Sequence, residues 1–259
     1  MTSAQTMLFV KVLGLCLGAL GALGGCAKST EQPLVAPRAL VAPYEGDGAE
    51  VLWAVVPLAN ESGTTDADRS MVNDHLVAAI EEVQGLRCVP LNRTIAALRG
   101  LKMDGVRSPG DVRRLADAMG VDGVIVGAVT AYDPYTPAIG LSIALYARPG
   151  SLTRATPDID PHTLASRPAE IGSPRGALRD APVATASENL DAKNHQVLMD
   201  LKSYATGRHD QPSALGWKRY TASMDLYTQF AAYHVVDRLL QSEWVRLAGA
   251  APRGDKDSK

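Results

Sequence analysis

Few residues in this chain are placed to do chemistry, and the most telling of them is a thiol. Cys26 follows Leu23, Gly24 and Gly25 directly, at the end of an apolar run from Val12 to Leu23 that is preceded by Lys11. This cysteine stands behind two small residues, at the end of a leader-like apolar run. The other chemistry-bearing types are scattered. The chain has five histidines, His75, His162, His195, His209 and His234, and no two stand at metal-ligand spacing with a cysteine or carboxylate partner. It has no Gly-x-Ser-x-Gly elbow and no phosphate-cradling glycine loop. No catalytic residue, metal ion or cofactor is therefore assigned. The conspicuous polar and aromatic cluster is Tyr132, Asp133, Pro134 and Tyr135. Aromatic tips at a strand end can bind a protein, glycan or peptide, so Tyr132, Asp133 and Tyr135 are candidate partner-binding residues. A rigid turn on the domain edge is the competing reading.

Leu23-Gly24-Gly25-Cys26 resembles a bacterial lipobox, and residues 1–25 then form a lipoprotein signal peptide. The apolar run is too short to span a bilayer permanently and suits the core of a signal peptide. A start at Met7 would give the leader a more ordinary shape than a start at Met1. Ala27 stands where an Asp would signal retention in the inner membrane, so the expected location is the outer membrane, lipid-anchored and facing the periplasm. Removal of the leader takes Cys16 with it, acylation uses Cys26, and Cys88 is left as a core residue. The formal net charge of −2 gives no basic excess for nucleic acid. Residues 26–50, rich in Pro, Ala and Gly, read as a flexible tether.

The elements that follow must build the domain. Val51 to Leu58 reads as a strand, and Thr65 or Asp66 as the cap of a helix reaching about Gln84. Leu86 to Pro90 reads as a second strand, and Asn92 as the cap of a second helix. Ser108-Pro109-Gly110-Asp111 is a strong helix start and Gly120 its stop. Val121 to Val129 is apolar on both faces, as in a central strand covered on two sides. Gly123 and Gly127 lie on one face of it, where something must pack close to the backbone. Ile139 to Tyr146 reads as one more strand. This order gives an α/β layered domain with a mixed central sheet flanked by helices, over residues 51–148.

Val55-Val56-Pro57-Leu58-Ala59-Asn60-Glu61-Ser62-Gly63 resembles the opening of the TolB amino-terminal, CsgG and LpoB-like superfamily. Asn92-Arg93 fits the Arg that begins the next helix there. Leu115 to Val129 resembles that group's "A-x-x-x-G-x-D-x-x-x-x-G-x-V" passage. The resemblance implies a non-enzymatic envelope protein that assembles a secretion pore, activates a peptidoglycan synthase or binds another envelope protein. The partner's identity stays open, and a homo-oligomer is compatible with it. A pore subunit would need membrane-spanning hairpins. Ile139 to Ala147 could supply one strand, but the Pro-rich stretch after it offers no mate.

Residues 149–188, dense in Pro, Ala, Arg and Ser, read as a disordered insertion. From 189 to 248 the pattern predicts a helical hairpin packed on the domain: Asn189 to Tyr204, then a long helix from about Ala214 to Leu247. The long helix has two apolar arcs, one of them containing Phe230, and a narrow wet stripe with Asp225 and Glu243. Residues 249–259 read as a disordered tail.

Overall fold

A computed structural model describes residues 37, 39–44, 50–148, 152, 180–206, 208 and 215–250. The signal peptide, the lipobox with Cys26, most of the expected insertion and the tail lie outside the described residues.

The described strands are β1 (Val51–Val55), β2 (Ala59–Asn60), β3 (Leu86–Val89), β4 (Gly123–Asp133), β5 (Ala138–Ala147) and β6 (Ala184–Asp191). The helices are α1 (Arg69–Glu81), α2 (Leu91–Gly100), α3 (Pro109–Met119), α4 (His195–Ala205), α5 (Arg219–Ala222) and α6 (Met224–Ala250). They form a mixed α/β fold around one six-stranded sheet, ordered β3-β1-β4-β5-β6, with β2 also pairing β4. β1 is parallel to β3 and β4, whereas β4–β5 and β5–β6 are antiparallel. One face carries Trp53, Val55, Ile125, Ile139, Leu141 and Leu145 against α1 and α6. The other carries Ala54, Val56 and Val124 against α2 and α3. β4 is thus covered on both sides, which is why its sequence is apolar throughout. Beyond α3 the second face continues over β6 with exposed Thr185, Ser187 and Asn189.

Local signals explain most boundaries. Ser108 Oγ accepts from the Asp111 amide and Asp111 reaches back to the Ser108 amide, a capping box with Pro109 at the first helical position. Gly120 ends that helix with φ 67°, the left-handed conformation a glycine adopts freely. A Cβ on Gly123 would come within 2.7 Å of the Trp53 ring, and one on Gly127 would collide with the Ser142 carbonyl oxygen. Those are the close approaches expected of the two glycines.

Several expectations are corrected. α1 is capped by Asp68 rather than Thr65 or Asp66, because it is the Asp68 carboxylate that accepts from the first helical amides, those of Ser70 and Met71. α2 begins at Leu91, behind Pro90, so Asn92 lies inside it. Residues 184–191, divided in the sequence reading between insertion and helix, form strand β6, and Asn194 caps the helix after it. The last helix is interrupted: a short 3₁₀ turn (Gly216–Lys218) and α5 precede Ser223, whose extended backbone separates them from α6.

The second arc of α6 is also not left to a hairpin partner. α6 packs along α1 and across β5 and β6, while α4 reaches it through Tyr204, whose ring meets Phe230 at 5.5 Å and Tyr233 at 5.0 Å. Phe230 itself is buried. Among the described residues no helix is long and apolar enough to cross a membrane.

Candidate functional site

The two ends of the sheet are built differently. At the carboxyl ends of the parallel strands, β4 passes through a bulge before the candidate turn. Val129 pairs with Leu141, but Ala131 pairs with Gly140, so Thr130 is the extra residue. The bulge reverses the side-chain alternation, and Tyr132 falls on the core side, half-buried against the main apolar cluster. Burial and the nearby Asp68 and Asp66 carboxylates raise the Tyr132 hydroxyl pKa. Asp133 turns the chain: its Oδ1 accepts from the amides of Tyr135 at 2.9 Å and Thr136 at 3.1 Å. Those two bonds hold its carboxyl below the ordinary aspartate value. Tyr135 is left 91% exposed at the turn. The three candidates therefore split: Tyr132 packs, Asp133 shapes the turn, and Tyr135 is presented to solvent.

Beside this turn lies a second ordered loop. Asn60 Nδ2 donates to the Thr64 carbonyl at 2.7 Å, and the Ser62 hydroxyl donates to Asn60 Oδ1 at 2.6 Å. These side chains are spent on the backbone of their own turn. Upstream, Val56, Pro57 and Leu58 stand opposite Val126 and Gly127 alone, a bulge between β1 and β2. Pro57 has no amide to donate, and the displaced Leu58 amide donates to the buried Asn73 Oδ1 at 3.0 Å.

The opposite end holds a constellation that sequence reasoning missed. Residues 40–44, expected to belong to a tether, are packed into the domain. Ala42 N donates to the Gln84 carbonyl and Gln84 N to the Leu40 carbonyl, both at 2.9 Å. Ala42 and Tyr44 are buried, and the Tyr44 ring meets Trp53 edge-on at 6.0 Å. The Tyr44 hydroxyl donates to Glu243 Oε2 at 2.8 Å. Arg246 grips the same carboxylate with Nε and Nη2, each at 2.7 Å, and its Nη2 also donates to the Leu152 carbonyl at 3.0 Å. Glu243 is fully buried, contrary to the wet stripe expected of it, because Arg246 one turn on neutralises it in place. Burial and Glu243 push the Tyr44 hydroxyl well above the usual tyrosine range, and the bonds to Glu243 raise Arg246. The available signal was the pair Glu243 and Arg246 at helical spacing beside an otherwise isolated Tyr44.

Cys88 is not poised as a nucleophile. Burial, with Glu81 nearby, pushes the Cys88 thiol up to about 12, an inert core cysteine. Among the described residues no group of three His, Cys, Asp or Glu side chains could hold a metal ion. His75 meets Asp225 at 2.8 Å and joins α1 to α6, and Arg148 bridges Asp117 at 2.8 Å and the Val121 carbonyl at 2.8 Å. Both are contacts between neighbouring elements.

No protein-family model and no curated protein matches the chain. Among solved structures it is similar to the LpoB C-terminal domain from Salmonella enterica, at 15% identity and a TM-score of 0.34, covering 40% of this chain and 76% of that one. It is similar to a lipoprotein from Neisseria meningitidis at 15% identity and a TM-score of 0.36, covering 57% and 90%. A PelC dodecamer from Paraburkholderia phytofirmans aligns at 12% identity and a TM-score of 0.32, covering 80% and 95%. Scores at this level leave the functional argument to the chain's own residues.

Proposed function

We propose that the chain is a non-enzymatic lipoprotein of the outer membrane whose α/β domain binds another envelope component and assembles or activates it. The observation that carries this reading is Leu23-Gly24-Gly25-Cys26 directly behind the apolar run. Acyl chains on Cys26 would add about 0.8 kcal/mol of membrane affinity per buried methylene, enough for stable anchoring when more than one chain is attached. The motif resemblance of residues 55–63 and 115–129 to an envelope superfamily points the same way, and the mixed α/β fold is of the class that resemblance implies. The exposed Tyr135 turn is the partner contact in this reading. The pore alternative loses its candidate strand, because β5 is paired along both edges, to β4 and to β6, inside the sheet.

The test has two arms. Growth with a labelled fatty acid should mark the wild-type chain and leave Cys26→Ala unmarked, with the variant released from the outer-membrane fraction or held as an uncleaved precursor. A labelled Cys26→Ala would overturn the anchor. Crosslinking in intact cells should join the wild type to a cell-wall synthase or secretion component, and Tyr135→Ala should lose that product. Equal crosslinking by both would remove the turn from the interface.

A further inference from the structure

Five large apolar side chains are strongly exposed among the described residues: Val41, Tyr135, Leu215, Trp244 and Val245. Three of them gather at one place. Trp244 Nε1 donates to the Val41 carbonyl at 3.4 Å, and Val245 is the next residue on α6. Beside them runs an open cavity of about 500 Å³, lined by Pro37, Leu40, Val41, Tyr233, Leu240 and Trp244 among others. The lining also includes Asp237, which accepts from the Gln241 side-chain amide at 2.8 Å. The patch is therefore mainly apolar with a carboxylate among its lining side chains.

Its place in the fold says what faces it. Pro37 lies on the patch, eleven residue-to-residue steps from Cys26 with ten residues between them. At roughly 3.3–3.6 Å per fully extended residue, that stretch reaches at most ~40 Å. The patch also sits at one extreme of the sheet. α6 starts beside the turn end, where Tyr227 bonds the Leu190 carbonyl, and finishes at the other end, where Ser242 bonds the Thr185 carbonyl. The eleven residues of β4 separate the two ends by about 36 Å at the usual strand rise. Tryptophan beside aliphatic side chains suits the membrane–water interface, where one edge is apolar and the other wet.

We infer that Val41, Trp244 and Val245 rest on the bilayer that holds the acylated Cys26, so that the domain stands on its strap end with Tyr135 directed away from the membrane. The inference rests on the lipid-anchor reading. The occupant is the lipid surface itself, and with the Asp237 carboxylate in the lining the contact calls for zwitterionic rather than anionic lipid.

The test uses the full chain, matured in a bacterial host, purified in detergent and reconstituted into phosphatidylethanolamine and phosphatidylcholine vesicles carrying lipids spin-labelled near the headgroup. In a Trp217→Phe background, emission comes from the buried Trp53 and from Trp244. Quenching and a blue shift are expected on reconstitution, unchanged by high salt, and both should be lost when Trp244→Phe is added. Tyr135→Trp placed in that doubly substituted chain should stay unquenched. Thermal melts of each variant establish that it is folded before its emission is compared, and mass spectrometry reads the state of Cys26. An acylated chain that floats with vesicles while Trp244 stays unquenched overturns this orientation and leaves the anchor standing, and it points to a protein on the patch. Equal quenching at Trp244 and at position 135 also overturns it. An unmodified Cys26 in a chain that does not float removes the anchor, and the orientation with it.

Discussion

Asn73 shows how one buried polar side chain can hold a break in a strand. The extra residue between β1 and β2 takes the Leu58 amide out of the ladder, and Asn73 accepts from it while donating to the Arg69 carbonyl at 2.6 Å. Asn73→Ala leaves a buried amide unpaired, a loss of about 1–3 kcal/mol, and the urea midpoint should fall without change in slope. Asn73→Asp keeps the acceptor for the Leu58 amide but can donate to the Arg69 carbonyl only while its carboxyl is protonated, so any recovery should appear at acid pH and be lost as the carboxyl ionises. Residues of this kind were hard to read in the sequence: Asn73 lies on the apolar face of α1 with nothing nearby to name its partner. Tyr132 was misleading for a related reason. Its place near a strand end was legible, but the strand runs on through it to Asp133, and the face it occupies depends on the bulge at Thr130, which no local pattern announces.

At the scale of elements, strength of local signal decided what could be read. α3 has a capping box, a proline at its first position and a glycine stop, and its bounds follow. β4 was legible because burial on both faces demands a continuous apolar run. β6 was not, because its inward residues include Ala184 and Ala186, too small to make the alternation stand out beside a Pro-rich neighbour. The sequence reading of 189–191 as helix failed with it. Two predictions belong here. Bonds from the Arg107 and Ser108 amides and the Ser108 hydroxyl hold the Asp111 carboxyl below its ordinary value. A folded pKa below the unfolded one means that its contribution is present above the unfolded value and lost as pH falls through the folded value. Melts of wild type and Asp111→Asn should therefore differ near neutrality and converge below about pH 4, the ordinary aspartate value. Phe230, buried beside Tyr227 of the same helix where α6 meets Tyr204 of α4, should cost ~3–5 kcal/mol when changed to Ala, read by chemical denaturation. A Phe230→Ala chain of unchanged stability would show that the aromatic layer is not part of the core.

For the molecule as a whole, the described domain begins earlier than composition suggests. Pro, Ala and Gly dominate residues 26–50, yet Tyr44 closes the core over Trp53 and satisfies Glu243. A buried ion pair that loses one partner is costly, about 3–5 kcal/mol, so Arg246→Ala, which strands the buried Glu243 carboxylate, should be far more damaging than Tyr44→Phe, which removes one hydrogen bond worth ~0.5–1.5 kcal/mol. Replacing residues 37–44 with Gly and Ser should lower the melting temperature by several degrees, at roughly 2–4 °C per kcal/mol for a domain of this size. Replacing 154–179, which lacks the apolar content to offset an ordering cost of about 1–2 kcal/mol per residue, should change it little. Calorimetry of the two replacements compares them directly.

The strap has a mechanical consequence. A pull transmitted from the amino-terminal side enters the domain at Leu40 to Ala42, where two backbone bonds to Gln84 and the Tyr44 hydroxyl resist it. Behind them stands β1, held along its length between β3 and β4, whose bonds would have to shear together rather than break in succession. Under tension the strap gives first and the sheet persists. Each residue released adds up to about 3.5 Å of slack, so the domain would move away from the point of pull while keeping its sheet.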